Sequence, residues 1–328
     1  MSVAVAGQAP QHPFLRTLMQ ASAGNGIPHP SSPIALDPAH HRLTGVTVSR
    51  DPISRNNVTL LGNPEAGTTL LFVHGLGSDQ SVWSQLTPAF LDGYRLVLFD
   101  NVGAVESNQA DFREDQYRYL NVGGYAADIL EICAALKLSG NIILIGHSLG
   151  ALAGLIASVR SPRQFGALVL LGMSPRYTNT GEYEGGFTKA EIDKAYEALM
   201  SDYSAWTRAV AQAAMGNPDQ PQLASRFADS MSRVPREMML TVLCSVLQTD
   251  ERDLLPQVPV PVSLIQSHDD YFVPLAVARY LQAHIPDCRL TLIDASGHLP
   301  HVSAPEKVVE VIRSILGARQ ESALPAGS

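Results

Sequence analysis

Six short, mostly apolar runs recur along most of the chain and alternate with helical patterns. They are Leu70-Leu71-Phe72-Val73, Leu96-Val97-Leu98-Phe99, Ile142 to Ile145, Leu168-Val169-Leu170-Leu171, Val260 to Ile265 and Leu290 to Ile293. A run with no polar alternation has no face to offer water, so it suits a strand covered on both sides, as in a parallel sheet. Apolar spacing predicts helices near 81–91, 122–137, 149–160, 275–285 and 305–318. Strands alternating with helices imply right-handed crossovers and a doubly wound, mostly parallel α/β sheet. Segments near 44–50 and 57–61 alternate polar and apolar residues and predict an antiparallel hairpin at the sheet edge.

The alternation stops after Gly172 and resumes at Val258. Four helical patterns fill the gap, near 188–200, 202–215, 219–231 and 235–249, with breaks at Pro218, Pro221 and Pro235. Such an insertion sits above the carboxyl edge of the sheet, where open α/β sheets carry their ligand site, so residues 173–257 read as a helical lid. The expected core is then 43–172 and 258–318. Residues 1–42, broken by Pro10, Pro13, Pro28, Pro30, Pro33 and Pro38, read as a flexible arm, and 319–328 as a flexible tail. Within the arm, Phe14-Leu15 and Leu18-Met19 form a short apolar patch.

Composition excludes several classes. The net charge is −8, and four Lys and nineteen Arg are scattered without a run, so no phosphate-binding face is expected and nucleic acid is not a partner. Cys133, Cys244 and Cys288 are far apart in sequence and show no paired spacing, which fits a reducing, cytoplasmic setting. No apolar run reaches the ~20 residues needed to span a bilayer.

The run Ile142 to Ile145 leads directly into Gly146-His147-Ser148-Leu149-Gly150, with a helix pattern behind it. Strand, tight turn and helix are the context in which G-x-S-x-G lifts a serine onto a strained elbow as a nucleophile. A serine hydroxyl needs a base, and an acid to orient that base, in the order serine, acid, histidine. Val260 to Ile265 ends in Gln266-Ser267-His268-Asp269-Asp270, and Leu290 to Ile293 ends in Asp294-Ala295-Ser296-Gly297-His298. Asp270 and His298 therefore reach the edge that carries Ser148; Asp269 is the alternative acid and His301 the alternative base. His268 is expected in an exposed loop and His147 beneath the elbow. No spacing supports a metal site, and no cofactor is implied. Oxyanion donors are expected from the backbone N–H of Leu149 and, on the glycine-rich loop Val73-His74-Gly75-Leu76-Gly77, of Leu76. Aromatic and other apolar side chains over this edge make Tyr183, Phe187, Tyr203, Trp206, Met239 and Leu243, with Leu76, candidate pocket residues.

From about Ser54 to Leu316 the chain resembles α/β-hydrolase-fold proteins of the group containing the plant karrikin and strigolactone receptors and a bacterial hydrolase-like activator of the general stress response. The resemblance rests on "DQSVW" at 79–83, "FDNVGA" at 99–104, "SPRYTNTGEYEGGF" at 174–187, "QTDERDLL" at 248–255, "VPVPVSLIQSHDDYFVP" at 258–274 and "GHLPHVS" at 297–303. It implies Ser148 as nucleophile, His298 as base and Asp270 as acid, favouring Asp270 over Asp269 because the acid stands four residues before a proline, here Pro274. It also implies a V-shaped lid of four helices over an apolar pocket. The arm is not part of the group's pattern, Leu76 stands where the receptors often carry an aromatic, and G-H-S-L-G is closer to general esterases. The expected function is a serine hydrolase acting on a small, mostly apolar ester or lactone. The alternative is a ligand-responsive signalling protein, slow in hydrolysis, that takes a butenolide-like ligand and binds a partner protein through its lid.

Overall fold

The computed structural model describes residues 51–323. Seven strands form one sheet: β1 Thr59–Gly62, β2 Thr69–Val73, β3 Arg95–Leu98, β4 Ile142–His147, β5 Ala167–Leu171, β6 Val262–Asp269 and β7 Cys288–Ser296. Their order is β1-β3-β2-β4-β5-β6-β7; β1 runs antiparallel to β3, and every other pairing is parallel. All residues of β2, β4 and β5 are buried, as expected for strands covered on both faces.

Eight helices of ten or more residues occur among the described residues: α1 Gly123–Ala135, α2 Leu149–Arg160, α3 Lys189–Ser201, α4 Tyr203–Met215, α5 Pro221–Ser232, α6 Arg236–Leu247, α7 Leu275–His284 and α8 Pro305–Ala323. Strand side chains alternate between two cores. Leu71, Val73 and Leu144 pack with Ile129 of α1, Leu152 of α2 and Leu281 of α7. Leu70, Phe72 and Ile145 pack with Trp83, Leu86 and Ile312 of α8 on the other face. The sheet is therefore doubly wound.

Several expectations change. No α-helix spans 81–91; two 3₁₀ turns, Gln80–Trp83 and Thr87–Ala89, stand there. Pro88 lacks the N–H that a continuous helix needs, and Asp79 caps the first turn by accepting from the Ser81 N–H at 2.9 Å. The edge strand near 57–61 is present as β1, but it pairs with β3, and the expected partner at 44–50 lies outside the described residues, as does the arm at 1–42. α8 continues to Ala323, so the tail expected from 319 begins as helix.

α3 to α6 lie in the chain between β5 and β6, where four helical patterns were expected. Their ends follow local chemistry. Thr188 and Glu191 form a reciprocal cap at the start of α3, and Asp202 accepts from the Ala205 N–H at 2.9 Å to start α4. Gly216 ends α4 at φ +61°. Among the described residues no helix is long and apolar enough to cross a membrane.

Candidate active site

The register brings the ends of β2, β4, β5 and β6 to one edge. Val73 lies beside Gly146, His147 beside Leu171, and Leu171 beside Ile265. Immediately after His147 the backbone turns sharply: Ser148 has φ +51° and ψ −116°, a left-handed strain that only surrounding structure can hold. The Ser148 N–H donates to the Leu171 carbonyl at 2.9 Å, and the Leu152 N–H donates to the Ser148 carbonyl at 3.0 Å. The two flanking glycines permit this approach. A Cβ on Gly146 would stand 2.6 Å from the Ala151 Cα, and one on Gly150 would fall onto the carbonyl oxygens of Val73 and His74.

Ser148, His298 and Asp270 are joined in one hydrogen-bonded chain. His298 Nδ1 lies 2.8 Å from Asp270 Oδ2, and His298 Nε2 lies 2.9 Å from Ser148 Oγ. A carboxylate at Nδ1 keeps the proton on that nitrogen, which leaves Nε2 free to accept from the serine hydroxyl. The carboxylate is itself fixed. Its Oδ1 accepts from the N–H groups of Phe272 at 2.9 Å and Val273 at 3.0 Å, and Oδ2 accepts from Gln266 Nε2 at 3.1 Å. The His298 backbone is held from both sides: its N–H donates to the Ala214 carbonyl at the end of α4, at 2.6 Å, and its carbonyl accepts from His147 Nε2 at 2.8 Å. Sequence spacing carried no sign of either contact.

The alternatives sit elsewhere. Asp269 is exposed. His301 is fully buried between Trp83, at 4.6 Å between ring centroids, and His147, at 4.5 Å. Burial, then the neighbouring His298, pushes the His301 imidazole down to about 3. Burial, with the other imidazoles after it, likewise holds His147 well below the ordinary range. His268 is exposed, as expected.

The expected oxyanion donors flank the serine. Leu149 is the first residue of α2, where an N–H has no helix carbonyl to serve. The loop bearing Leu76 lies directly on the elbow, since a Cβ on Gly75 would stand 3.2 Å from the Ser148 Cβ.

Above Ser148 lies a cavity of about 90 Å³ whose walls are apolar, with no Asp, Glu, Lys or Arg among the lining residues. Of the expected pocket residues, Leu76, Phe187, Trp206 and Leu243 line it. Met239 instead lines a smaller cavity of about 20 Å³ whose wall Leu76 also shares. Tyr183 and Tyr203 line neither. The Tyr183 hydroxyl donates to the Arg176 carbonyl at 2.8 Å, and Arg252 stands 5.0 Å from its ring centroid. The Tyr203 hydroxyl reaches the carbonyls of Met231, 2.9 Å, and Val234, 2.7 Å. Both tyrosines thus tie the insertion together. Sequence reasoning missed Tyr177, Phe227, Met231 and Phe272 in the wall. The four-residue spacing of Phe227 and Met231 on α5 was the available signal. Burial drives the Tyr177 phenol far upward, so it stays a neutral hydroxyl beside Ser148. Trp206 Nε1 is buried without a hydrogen-bond partner among the described residues.

Comparison with known proteins places this geometry. The chain is 38% identical over 258 residues to the karrikin insensitive 2 receptor CA of Petunia hybrida, covering 78% of this chain and 94% of that one. It is 37% identical over 264 residues to a strigolactone esterase of Arabidopsis thaliana, covering 79% and 96%. Among solved structures, a hydrolase from Oleispira antarctica superposes with a TM-score of 0.78 at 27% identity, over 82% of this chain and 97% of that one. Residues 70–311 match the alpha/beta hydrolase family, and the chain belongs to that family.

Proposed function

We propose that this hydrolase is a serine esterase or lactonase acting on small, uncharged, mostly apolar substrates. The observation that carries the reading is the hydrogen-bonded chain Ser148–His298–Asp270 opening into an uncharged cavity. In the first half-reaction Ser148 Oγ attacks the ester carbonyl carbon as its proton passes to His298 Nε2. The carbonyl oxygen, now negative, accepts from the N–H groups of Leu76 and Leu149. Collapse expels the alcohol, which takes the proton back from Nε2, and leaves an acyl ester on Ser148. Water then attacks that ester as it gives a proton to His298 Nε2, and collapse releases the acid while Nε2 returns that proton to Ser148 Oγ. Asp270 holds the Nδ1–H tautomer and stabilises the imidazolium between these steps. The helical insertion serves as a lid that excludes charged and long-chain esters. The unpaired Cys133, Cys244 and Cys288 suit a cytoplasmic setting.

The test is Ser148→Ala. It should abolish hydrolysis of short-chain esters and labelling by a fluorophosphonate while the melting curve is retained. Stoichiometric labelling of the alanine variant at the active site would refute the assignment.

A second reading draws on the receptor relative: a ligand-responsive signalling protein whose lid face binds a partner, with slow turnover of a butenolide-like ligand. Turnover near ~10 per second supports catalysis as the role, and turnover below about one per minute, far under the usual enzyme range, supports signalling.

A further inference from the structure

The serine hydrolase reading asks two backbone N–H groups to point at one oxygen. Leu149 is fixed by its helix, but Leu76 lies on a loop with glycine on either side, which leaves open what holds its N–H in place. The Leu76 N–H and the Gly75 carbonyl belong to one peptide unit. That unit is planar and trans, so pinning the carbonyl aims the N–H in the opposite direction. His74 Nδ1 lies 2.9 Å from the Gly75 carbonyl oxygen, and the Ser78 N–H also reaches that oxygen at 3.3 Å. His74 is 1% exposed.

Only one tautomer of His74 can make this bond. The Asn101 backbone N–H donates to His74 Nε2 at 2.9 Å, so Nε2 is the acceptor and the ring proton sits on Nδ1, facing the Gly75 carbonyl. The Asn101 side chain adds a second tie, Nδ2 to the His74 carbonyl oxygen at 2.9 Å, which fixes the preceding peptide as well. Asn101 is anchored in turn. Its carbonyl accepts from Asn108 Nδ2 at 3.1 Å, and Asn108 Oδ1 accepts from the Gly103 N–H at 3.0 Å and the Val105 N–H at 3.3 Å. Asn101 and Asn108 are both buried.

We infer that Asn101, acting through His74, is the positioning residue of the oxyanion site: its backbone N–H selects the His74 tautomer, its side-chain amide holds the His74–Gly75 peptide, and the His74 ring so placed pins the peptide whose N–H is that of Leu76. Burial depresses the His74 imidazole, which keeps the ring in the neutral state that the arrangement requires. A hydrogen bond to the Gly75 carbonyl also polarises the shared peptide and strengthens its N–H as a donor. Asn101 does not line the cavity above Ser148. It acts on the transition state alone, because the oxyanion forms only there.

The experiment compares the unsubstituted chain with Asn101→Ala, Asn101→Asp, His74→Leu and His74→Asn. For each, kcat and KM are measured on a short-chain nitrophenyl ester, with the inhibition constant of a trifluoromethyl ketone, which forms a hemiketal oxyanion on serine. Losing the ring donor should lower kcat by up to about 100-fold in His74→Leu; the two Asn101 variants keep the backbone N–H that sets the tautomer and lose only the side-chain tie to the His74 carbonyl, so their fall should be smaller, about tenfold, with weaker ketone binding to match. KM should stay within about twofold, because ground-state binding does not use the oxyanion. His74→Asn keeps an N–H donor near the Nδ1 position and should recover much of the loss. Asn101→Asp keeps the side-chain volume but loses the donor, so it carries the test if Asn101→Ala does not fold. Folded variants with unchanged kcat and ketone affinity, or a KM that rises as kcat falls, would overturn the proposal. Failure of the hydrolase reading looks different: the unsubstituted chain then neither turns over the ester nor binds the ketone, and the proposal falls with it.

Discussion

His147 donates its Nε2–H to the carbonyl oxygen of His298 at 2.8 Å, so the residue before Ser148 holds the backbone of His298. In His147→Phe the ring remains to pack against His298 and His301, but the buried carbonyl loses its donor. An unsatisfied buried group of this kind costs about 1–3 kcal/mol. Stability should fall by that amount in denaturant titration, and fluorophosphonate labelling of Ser148 should slow. If both are unchanged, the contact has no role in aligning the base.

His301 predicts an acid-sensitive fold. Its imidazole is held at about 3 by burial first, whereas the ordinary value is 6.5. Between these values the unfolded chain binds a proton that the folded chain refuses. Stability is therefore full above about 6.5 and is lost as pH falls toward 3. One such site adds a slope of up to about 1.4 kcal/mol per pH unit. His74 and His147 are depressed in the same sense and steepen the loss. His301→Phe retains the stacking on Trp83 and should flatten the acid limb by up to one site's slope. Chemical denaturation at a series of pH values from 4 to 7 measures this, and identical curves for both proteins would count against it.

Gly146→Ala should strain the elbow without touching a reactive group. The new Cβ would stand 2.6 Å from the Ala151 Cα and 2.8 Å from the Ala151 nitrogen, so α2 must back away from β4. Overpacking of this kind typically costs about 1–3 kcal/mol. Because α2 carries the Leu149 N–H, kcat should fall along with the melting temperature. A variant as stable and as active as the parent would show that the helix has room to move.

Trp206→Ala tests the cavity wall. The side chain is buried against the cavity, and removing it should weaken binding of a short-chain ester by up to about 3 kcal/mol, read as a higher KM. The labelling rate should hold, since Ser148, His298 and Asp270 keep their mutual contacts. An unchanged KM would return Trp206 to ordinary packing. If neither quantity moves and a partner protein no longer co-elutes, the insertion is a docking face.

Much of the fold was legible because β2, β4 and β5 are buried on both sides, which leaves unbroken apolar runs with no helical reading. Ser148, Asp270 and His298 could be read as neighbours because each follows such a run closely and parallel strands end at the same edge. Pro88 is the local sign against a continuous helix at 81–91, since it removes an N–H that such a helix needs. Tyr183 and Tyr203 were misplaced because an aromatic in a helical insertion declares that it is buried, not against which neighbour. The contacts His74–Asn101 and Ala214–His298 join residues 27 and 84 positions apart, and no local pattern encodes them.

The helical insertion leaves the core once, after β5, and returns once, before β6, two strands that are themselves paired through Leu171 and Ile265. A segment attached at only two points can diverge in length and composition while the sheet beneath it stays constant. Much of the cavity wall is thus separable from the sheet, although Leu76 and Phe272 of that wall belong to the core, and exchanging 173–257 between relatives should move ligand preference while Ser148, His298 and Asp270 stay in place. Some joints do not transfer freely: the Ala214 carbonyl that meets the His298 N–H, the Asn217 amide on the Ser296 carbonyl at 3.3 Å and the Arg233 carbonyl that accepts from Gln109 at 3.0 Å are contacts that any transplanted segment must reproduce.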